Sequence, residues 1–326
     1  MEIYMKSLIR NLTAFLFVGI LVGNIATAQG LSEQVAKMGS QAVQGYLSPA
    51  LRGWDADLNS DLYHTADLHD FFGFDIQIKA AFMPAKDEDK SYTFYPDPTY
   101  TISGHTFHRG TDYANSLTAP TVIGGGDDVP FKINGNTLFT LPKGITMPIS
   151  GVPLAMAQAS LGLPLGFEVT GRFVPTMKFG DVGKYNLVGF GVRHSIDQYI
   201  PMCPVDIAIH FFTTKFAIQD STGSDLITGK GTAYGIEVSK NLLFLTLYGG
   251  FQMESGSVTL NKFEGLFTDP TTGASQKATI DGFEQSGNKS RFTVGARLLL
   301  LFINVHAEYS IAKYPVVAAG VGISIR

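Results

Sequence analysis

"VVAAGVGISIR", residues 316–326, alternates without a break. Val317, Ala319, Val321, Ile323 and Ile325 are apolar, while Ala318, Gly320, Gly322, Ser324 and Arg326 are small or polar. Successive side chains of a strand point to opposite faces, so the stretch predicts a strand with one apolar face. The pattern recurs upstream. "FEVTGRF" sets Phe167, Val169 and Phe173 against Glu168, Thr170 and Arg172. "NLVGFGVRHSI" sets Val188, Phe190 and Val192 against Gly189, Gly191 and Arg193. "VDIAIHF", "FTVGARL", "INVHAEYS" and "FGFDIQIKA" alternate in the same way. Repetition of this kind predicts an all-β fold.

Composition separates the kinds of β protein. Charged residues make up 16% of the chain, aromatics 12%, and there are 36 glycines. Ordinary soluble domains carry about 25% charged residues. Charge-poor strands rich in glycine and aromatics suit a barrel whose outer face meets lipid. The single cysteine, Cys203, offers no disulfide framework. A net charge of −4 without basic clusters excludes nucleic acid as an expected partner.

The N-terminus predicts a secretory leader over residues 1–28. Lys6 and Arg10 precede the apolar run "LTAFLFVGILVGNIA", and Ala26 and Ala28 fit a cleavage site. Residues 29–50 have apolar positions at helical spacing before Pro49, which predicts a helical segment and candidate plug. The barrel is then expected over residues 51–326. "GVPLAMAQASLGLPLG", residues 151–166, is rimmed by Pro153 and Pro164 and does not alternate cleanly, so it reads as a second candidate plug. Both segments are expected at the short-turn end. Long polar connectors such as 255–289 and 219–230 alternate with tight ones such as Lys240–Asn241. That asymmetry predicts an antiparallel transmembrane β-barrel of about 12 strands, with 14 as the alternative. Its outward apolar positions would meet outer-membrane lipid, and its folding would need the barrel assembly machinery.

Several constellations invite chemistry. Asp55, Asp57, Asn59 and Asp61 alternate as in the first half of a calcium loop, but Ser60 and Ala66 stand where Gly and Glu belong. On a strand the four would share one face. His105 and His108 lack a third ligand. His194 and Ser195 fall on opposite faces, while Asp206 and His210 share a face about 13 Å apart. "VIGGGDD" has an anion loop's glycines without a following helix or lysine. No catalytic, cofactor or metal site is therefore expected, and the chain is not read as an enzyme. Parity points Glu168, Arg172, Arg193, Asp206, His210, Glu237, Arg297 and Glu308 into the lumen. There they would form either a charge-cancelling ladder or a selective path.

The phrases "YLSPALRGWDADLNSDLYHTADLHDFFGFDI", "QASLGLPLGFEVTGRFVP" and "NLVGFGVRHSIDQYI" resemble an uncharacterised family of bacterial outer-membrane barrels. They are also loosely similar to the long-chain fatty-acid transporter group. The resemblance implies a barrel with an N-terminal helix in the bacterial outer membrane. The expected function is a passive channel or binding protein for a small hydrophobic solute. A non-transporting structural or surface-interaction barrel is the alternative, and a soluble secreted β-protein the third reading.

Overall fold

A computed structural model describes residues 28–102, 104–179, 183–220, 223–268 and 275–325. The expected leader, residues 1–28, lies outside the described residues except for Ala28. Among the described residues ten long strands form the wall: β1 Phe74–Pro84, β2 Gly151–Leu163, β3 Phe167–Phe179, β4 Gly183–Ser195, β5 Asp206–Gln219, β6 Asp225–Leu242, β7 Leu245–Leu260, β8 Ser290–Leu300, β9 Ile303–Ile311 and β10 Val316–Ile325. Each pairs antiparallel with the next. The opening stretch closes the ring: β10 pairs with β1 from Phe74 opposite Ile325 to Phe82 opposite Val317. Closure leaves no unpaired edge along the wall.

The wall has ten strands where about 12 were expected. Two causes account for the difference. β6 and β7 run for 18 and 16 residues and consume more chain than a typical strand. The proline-bearing stretch after β1 folds outside the wall, as the hairpins Ser91–Phe94 with Leu117–Pro120, Thr99–Ile102 with His105–His108, and Val129–Ile133 with Asn136–Leu141. A further hairpin, Phe263–Thr268 with Ser275–Ile280, stands between β7 and β8, and the short strand Phe283–Gln285 adds to the end of β7. These connections gather at one end, here the long-connection end.

The opposite end carries tight turns, and their tips are apolar. Leu165, Met202, Leu243 and Leu301 all have positive φ, between 59° and 64°. Leu243 is 97% exposed and Leu301 92%. Left-handed backbone disfavours such residues, and turns in water normally use Asn or Gly there. Apolar tips are at home where the turn meets lipid. The tight turn predicted at Lys240–Asn241 therefore sits at Leu243–Phe244, because the sequence carries no polar turn signal there.

The outer face of the wall is apolar and the inner face polar in its lower half. Ile76, Val188, Phe190, Ile209, Phe211, Tyr234, Phe251 and Val321 point outward and are exposed. Gln77, Lys79, Gln158, Arg172, Glu237 and His306 point inward and are at most 2% exposed. A soluble sandwich has the reverse arrangement.

The helix α1, Ala28–Leu58, is longer than the segment 29–50 and breaks its geometry at Gly39, at φ 76° and ψ 164°. It enters from the long-connection end, not from the short-turn end as expected. Ser40 Oγ accepts from the Asp281 amide at 3.1 Å, and the Tyr46 hydroxyl donates to the Lys143 carbonyl at 3.0 Å. From Leu58 the chain continues down the lumen without regular structure, and β1 begins at the short-turn end.

"GVPLAMAQASLGLPLG" is not a plug. Its first thirteen residues are wall strand β2. It fails to alternate because Val152, Leu154 and Met156 face inward yet are apolar, packed in one cluster with Leu51 and Trp54 of α1. The helix comes so close that a Cβ on Gly53 would stand 2.6 Å from Val152 Cβ.

Candidate functional site

The lumen is the molecule's distinctive site, and the chain fills it itself. Residues 51–69 run through it, almost all buried. The wall changes character with the segment it surrounds. Around α1 the inward side chains are apolar: Ala81 and Met83 on β1, Val174 on β3, Leu187 on β4, Phe216 on β5, Ile227 on β6, Val258 and Leu260 on β7, Val316 on β10. A helix satisfies its own backbone, so apolar walls suffice.

Below Leu58 the backbone has no such pairing, and the wall supplies it. Arg172 donates to the carbonyls of Leu58 at 3.1 Å, Ser60 at 2.9 Å and Asp61. Arg291 donates to the Ala56 carbonyl, Gln252 to Asn59 at 2.8 Å, Gln158 to Leu62 at 3.2 Å, and Arg193 to Thr65. Arg172 and Arg291 thereby cap the last turn of α1, where cations are favoured. Irregular backbone at membrane depth persists only where protein or trapped water satisfies it.

Asp61 is the pivot. Its carboxylate accepts from Lys79 Nζ at 3.1 Å and lies 2.8 Å from His306 Nε2, while its amide donates to Glu308 at 2.9 Å. Its φ of 52° turns the chain. Nearer the short turns, Arg193 bridges Glu168 at 2.7 Å and Glu237. Glu168 also meets His69 Nδ1 at 2.7 Å, and Glu237 meets His210 Nδ1 at 3.2 Å. Glycines on the inner face make room for this segment: a Cβ on Gly231 would stand 2.6 Å from Asn59 Oδ1.

Of the eight residues that parity pointed inward, Glu168, Arg172, Arg193, His210, Glu237, Arg297 and Glu308 are buried in the lumen. Arg297 pairs across strands with His306 in the wall register. Asp206 lies at the short-turn rim, part-buried, and accepts from Ser239 Oγ at 3.1 Å. Asp206 and His210 are not brought together; His210 turns to Glu237. The alternating set Asp55, Asp57, Asn59 and Asp61 does not share a face, because Asp55 and Asp57 lie on the last turn of a helix, where alternate positions diverge by about 200°, and Asn59 and Asp61 lie on the irregular chain beyond it. Asp55 accepts from the Gly287 amide, Asp57 is buried near the helix end, and Asp61 faces Lys79. His105 and His108 stand exposed on an outer hairpin. His194 is outward, between the Gly166 carbonyl and the Tyr199 hydroxyl, and stacked on Phe167 at 4.1 Å. The "VIGGGDD" glycines form a tight loop against α1, where the Val122 amide donates to the Tyr46 carbonyl at 3.0 Å. Burial and the Asp128 carboxylate push the Tyr46 phenol there up to about 12.

Sequence reasoning passed over Lys79, Gln158, Gln252, Glu254, Arg291 and His306 as site residues. Each sits on a polar strand face, and the sequence signal for them is the polar stretch "DADLNSDLYHTAD" just ahead of the first alternating strand.

Among solved structures, the chain is similar to Ail of Yersinia pestis at 11% identity over 78% of this chain and 98% of that one, TM-score 0.24. It is similar to the transport unit of the autotransporter AIDA-I from Escherichia coli at 11% identity over 89% and 99%, TM-score 0.29. It is similar to a loop-deleted OmpT of Vibrio cholerae at 12% identity over 77% and 97%, TM-score 0.23. These are outer-membrane or autotransporter barrels, but scores this low carry no residue, strand number or activity to this chain. None of the three supports the loose similarity to fatty-acid transporters. No curated protein matches the sequence. A family model does match, over residues 5–325; the chain belongs to that family, DUF6588, described as a family of unknown function.

Proposed function

We propose that this protein is an integral barrel of the bacterial outer membrane, closed by its own N-terminal segment, and that it works through the surface built at its long-connection end. The carrying observation is the hydrogen bonding of the carbonyls between Ala56 and Thr65 to Arg172, Arg193, Arg291, Gln158 and Gln252 of the wall. A hydrated path would leave inward donors for solutes. Here donors of those five residues are committed to the chain's own backbone, and releasing the segment would strand buried groups on both sides. The exposed apolar outer face and the apolar turn tips support lipid as the surroundings. In this reading membrane lipid and the barrel assembly machinery are its partners, and the long-connection end faces outward.

Passive passage of a small hydrophobic solute is the competing reading, and it needs the space that residues 51–69 occupy. Planar-bilayer recording of the purified full chain separates the two. The closed reading expects no stable conductance steps at ordinary voltages. Steps from the full chain, and their enlargement when residues 29–58 are removed, would support the channel.

A further inference from the structure

The outer face holds a feature that burial and closure do not explain. Lys215 on β5 and Lys230 on β6 are directly opposite each other in the strand register. Both point outward and are exposed. Residues directly opposite have Cβ atoms about 4.5–5.5 Å apart, and like charges so placed destabilise a sheet. Neither lysine has an ion-pair or hydrogen-bond partner among the described residues.

Their height is set by the strands beneath them. Going up from the short turns, the outward positions are apolar on β5 from Ile207 through Phe211, and on β6 from Val238 through Tyr234, above Lys240 at the short-turn rim. The next outward pair is Thr213 with Thr232, and then Lys215 with Lys230. A strand rising about 3.3 Å per residue and tilted about 45° crosses an apolar band of about 25 Å in roughly eleven residues. Counted from the apolar turn at Leu242, that reaches the neighbourhood of Lys230. The pair therefore sits where acyl chains give way to headgroups. On β8, β9 and β1 the outward face stays apolar to the long-connection end, at Phe292, Ile311 and Phe82, so the charge is confined to one flank.

We infer that Lys215 and Lys230 together bind the phosphate of an anionic lipid in the leaflet at the long-connection end. This rests on the membrane reading above. A groove of about 450 Å³ runs across the pair and is edged by Asn186, Thr228 and Ser257. Two ammonium groups supply compact charge, and the neighbouring hydroxyl and amide groups can complete the shell of a phosphate. The acidic group on the groove, Glu284, is separated from Lys215 by β6 and β7 and accepts from Thr259 Oγ1 at 3.3 Å. β7 alone lies between it and Lys230, and its hydrogen bond to Thr259 holds it on the far side of β7 from both lysines.

The test uses the full chain in nanodiscs of phosphatidylcholine with a minor share of phosphatidylglycerol, and reads retained lipid by native mass spectrometry. Wild type should retain phosphatidylglycerol selectively. Lys215→Gln with Lys230→Gln should lose that preference by roughly thirtyfold, from two interfacial lysines. Lys262→Gln with Lys289→Gln should retain it. Equal retention of both lipids by wild type, an unchanged preference in the Lys215/Lys230 variant, or displacement of lipid by millimolar inorganic phosphate alone would overturn the site. A shift between unboiled and boiled gel bands confirms that each variant is folded. Failure of the membrane reading is a separate result: the chain would then stay soluble without detergent and would not enter the discs.

Discussion

The upper and lower halves of the plug solve the same problem in different ways. Both bury a polar backbone inside a ring of strands. Above Leu58 the backbone is helical, and its neighbours are Leu154, Val174, Leu187, Phe216 and Val258. Below Leu58 it is irregular, and its neighbours are Lys79, Arg172, Arg193, Gln158 and Gln252. The wall's inner face follows the hydrogen-bonding state of the chain it encloses. Where that chain is self-sufficient, shape and apolar area decide; where it is not, individual donors decide.

If this division is right, the largest effect comes from the lower half. Arg172→Met should cost about 3–5 kcal/mol, because it leaves the buried carbonyls of Leu58, Ser60 and Asp61 and the Gln158 side-chain oxygen without their donor. Arg172→Lys should recover only a part of this, since one ammonium cannot reach the carbonyls of Leu58, Ser60 and Asp61 as a guanidinium does. Urea or heat titration of the unboiled gel band in detergent measures both. Full rescue by lysine would show that charge alone, not donor geometry, holds the segment.

The outer face provides the next contrast. Phe190 is half-exposed toward lipid while its neighbour Gly191 is buried beside Phe212. Phe190→Arg should cost roughly 2–4 kcal/mol at mid-membrane. A variant as stable as wild type would mean that this face meets water.

In the upper half a change of shape at constant volume should be mild. Leu154→Met is expected to cost less than about 1.5 kcal/mol. A loss as large as that of Arg172→Met would erase the distinction between the halves.

The smallest perturbation tests direction. An epitope inserted between Gly39 and Ser40 should leave stability unchanged, because a Cβ on Gly39 would meet nothing within 4 Å. Antibody should reach it on intact cells. Labelling only after permeabilisation would place the helix entrance on the inner side of the membrane.

Legibility in the sequence followed the same division. Strands β3, β4, β5, β8, β9 and β10 were readable because lipid on one side and polar plug on the other keep the alternation clean. β2 was not, because its upper half touches apolar material on both faces. The tight turn read at Lys240–Asn241 lies a few residues from its place at Leu243–Phe244 because its tip is apolar where water would demand Asn or Gly. The inward direction of Arg172, Arg193 and Glu237 was readable from parity, but their partners were not. Arg172 reaches Leu58 across 114 positions of sequence, and no local pattern encodes that contact.

What the sequence determined alone is whatever depends on period and composition. Period-two alternation, scarce charge and abundant glycine specify an antiparallel wall with an apolar face, since each strand meets the same two environments along its length. The tertiary structure decided how many strands close the ring, from which end the helix enters, and that the lumen is filled. Those depend on which distant groups meet, and a buried carbonyl accepts any donor that geometry brings within about 3 Å, whatever its place in the chain.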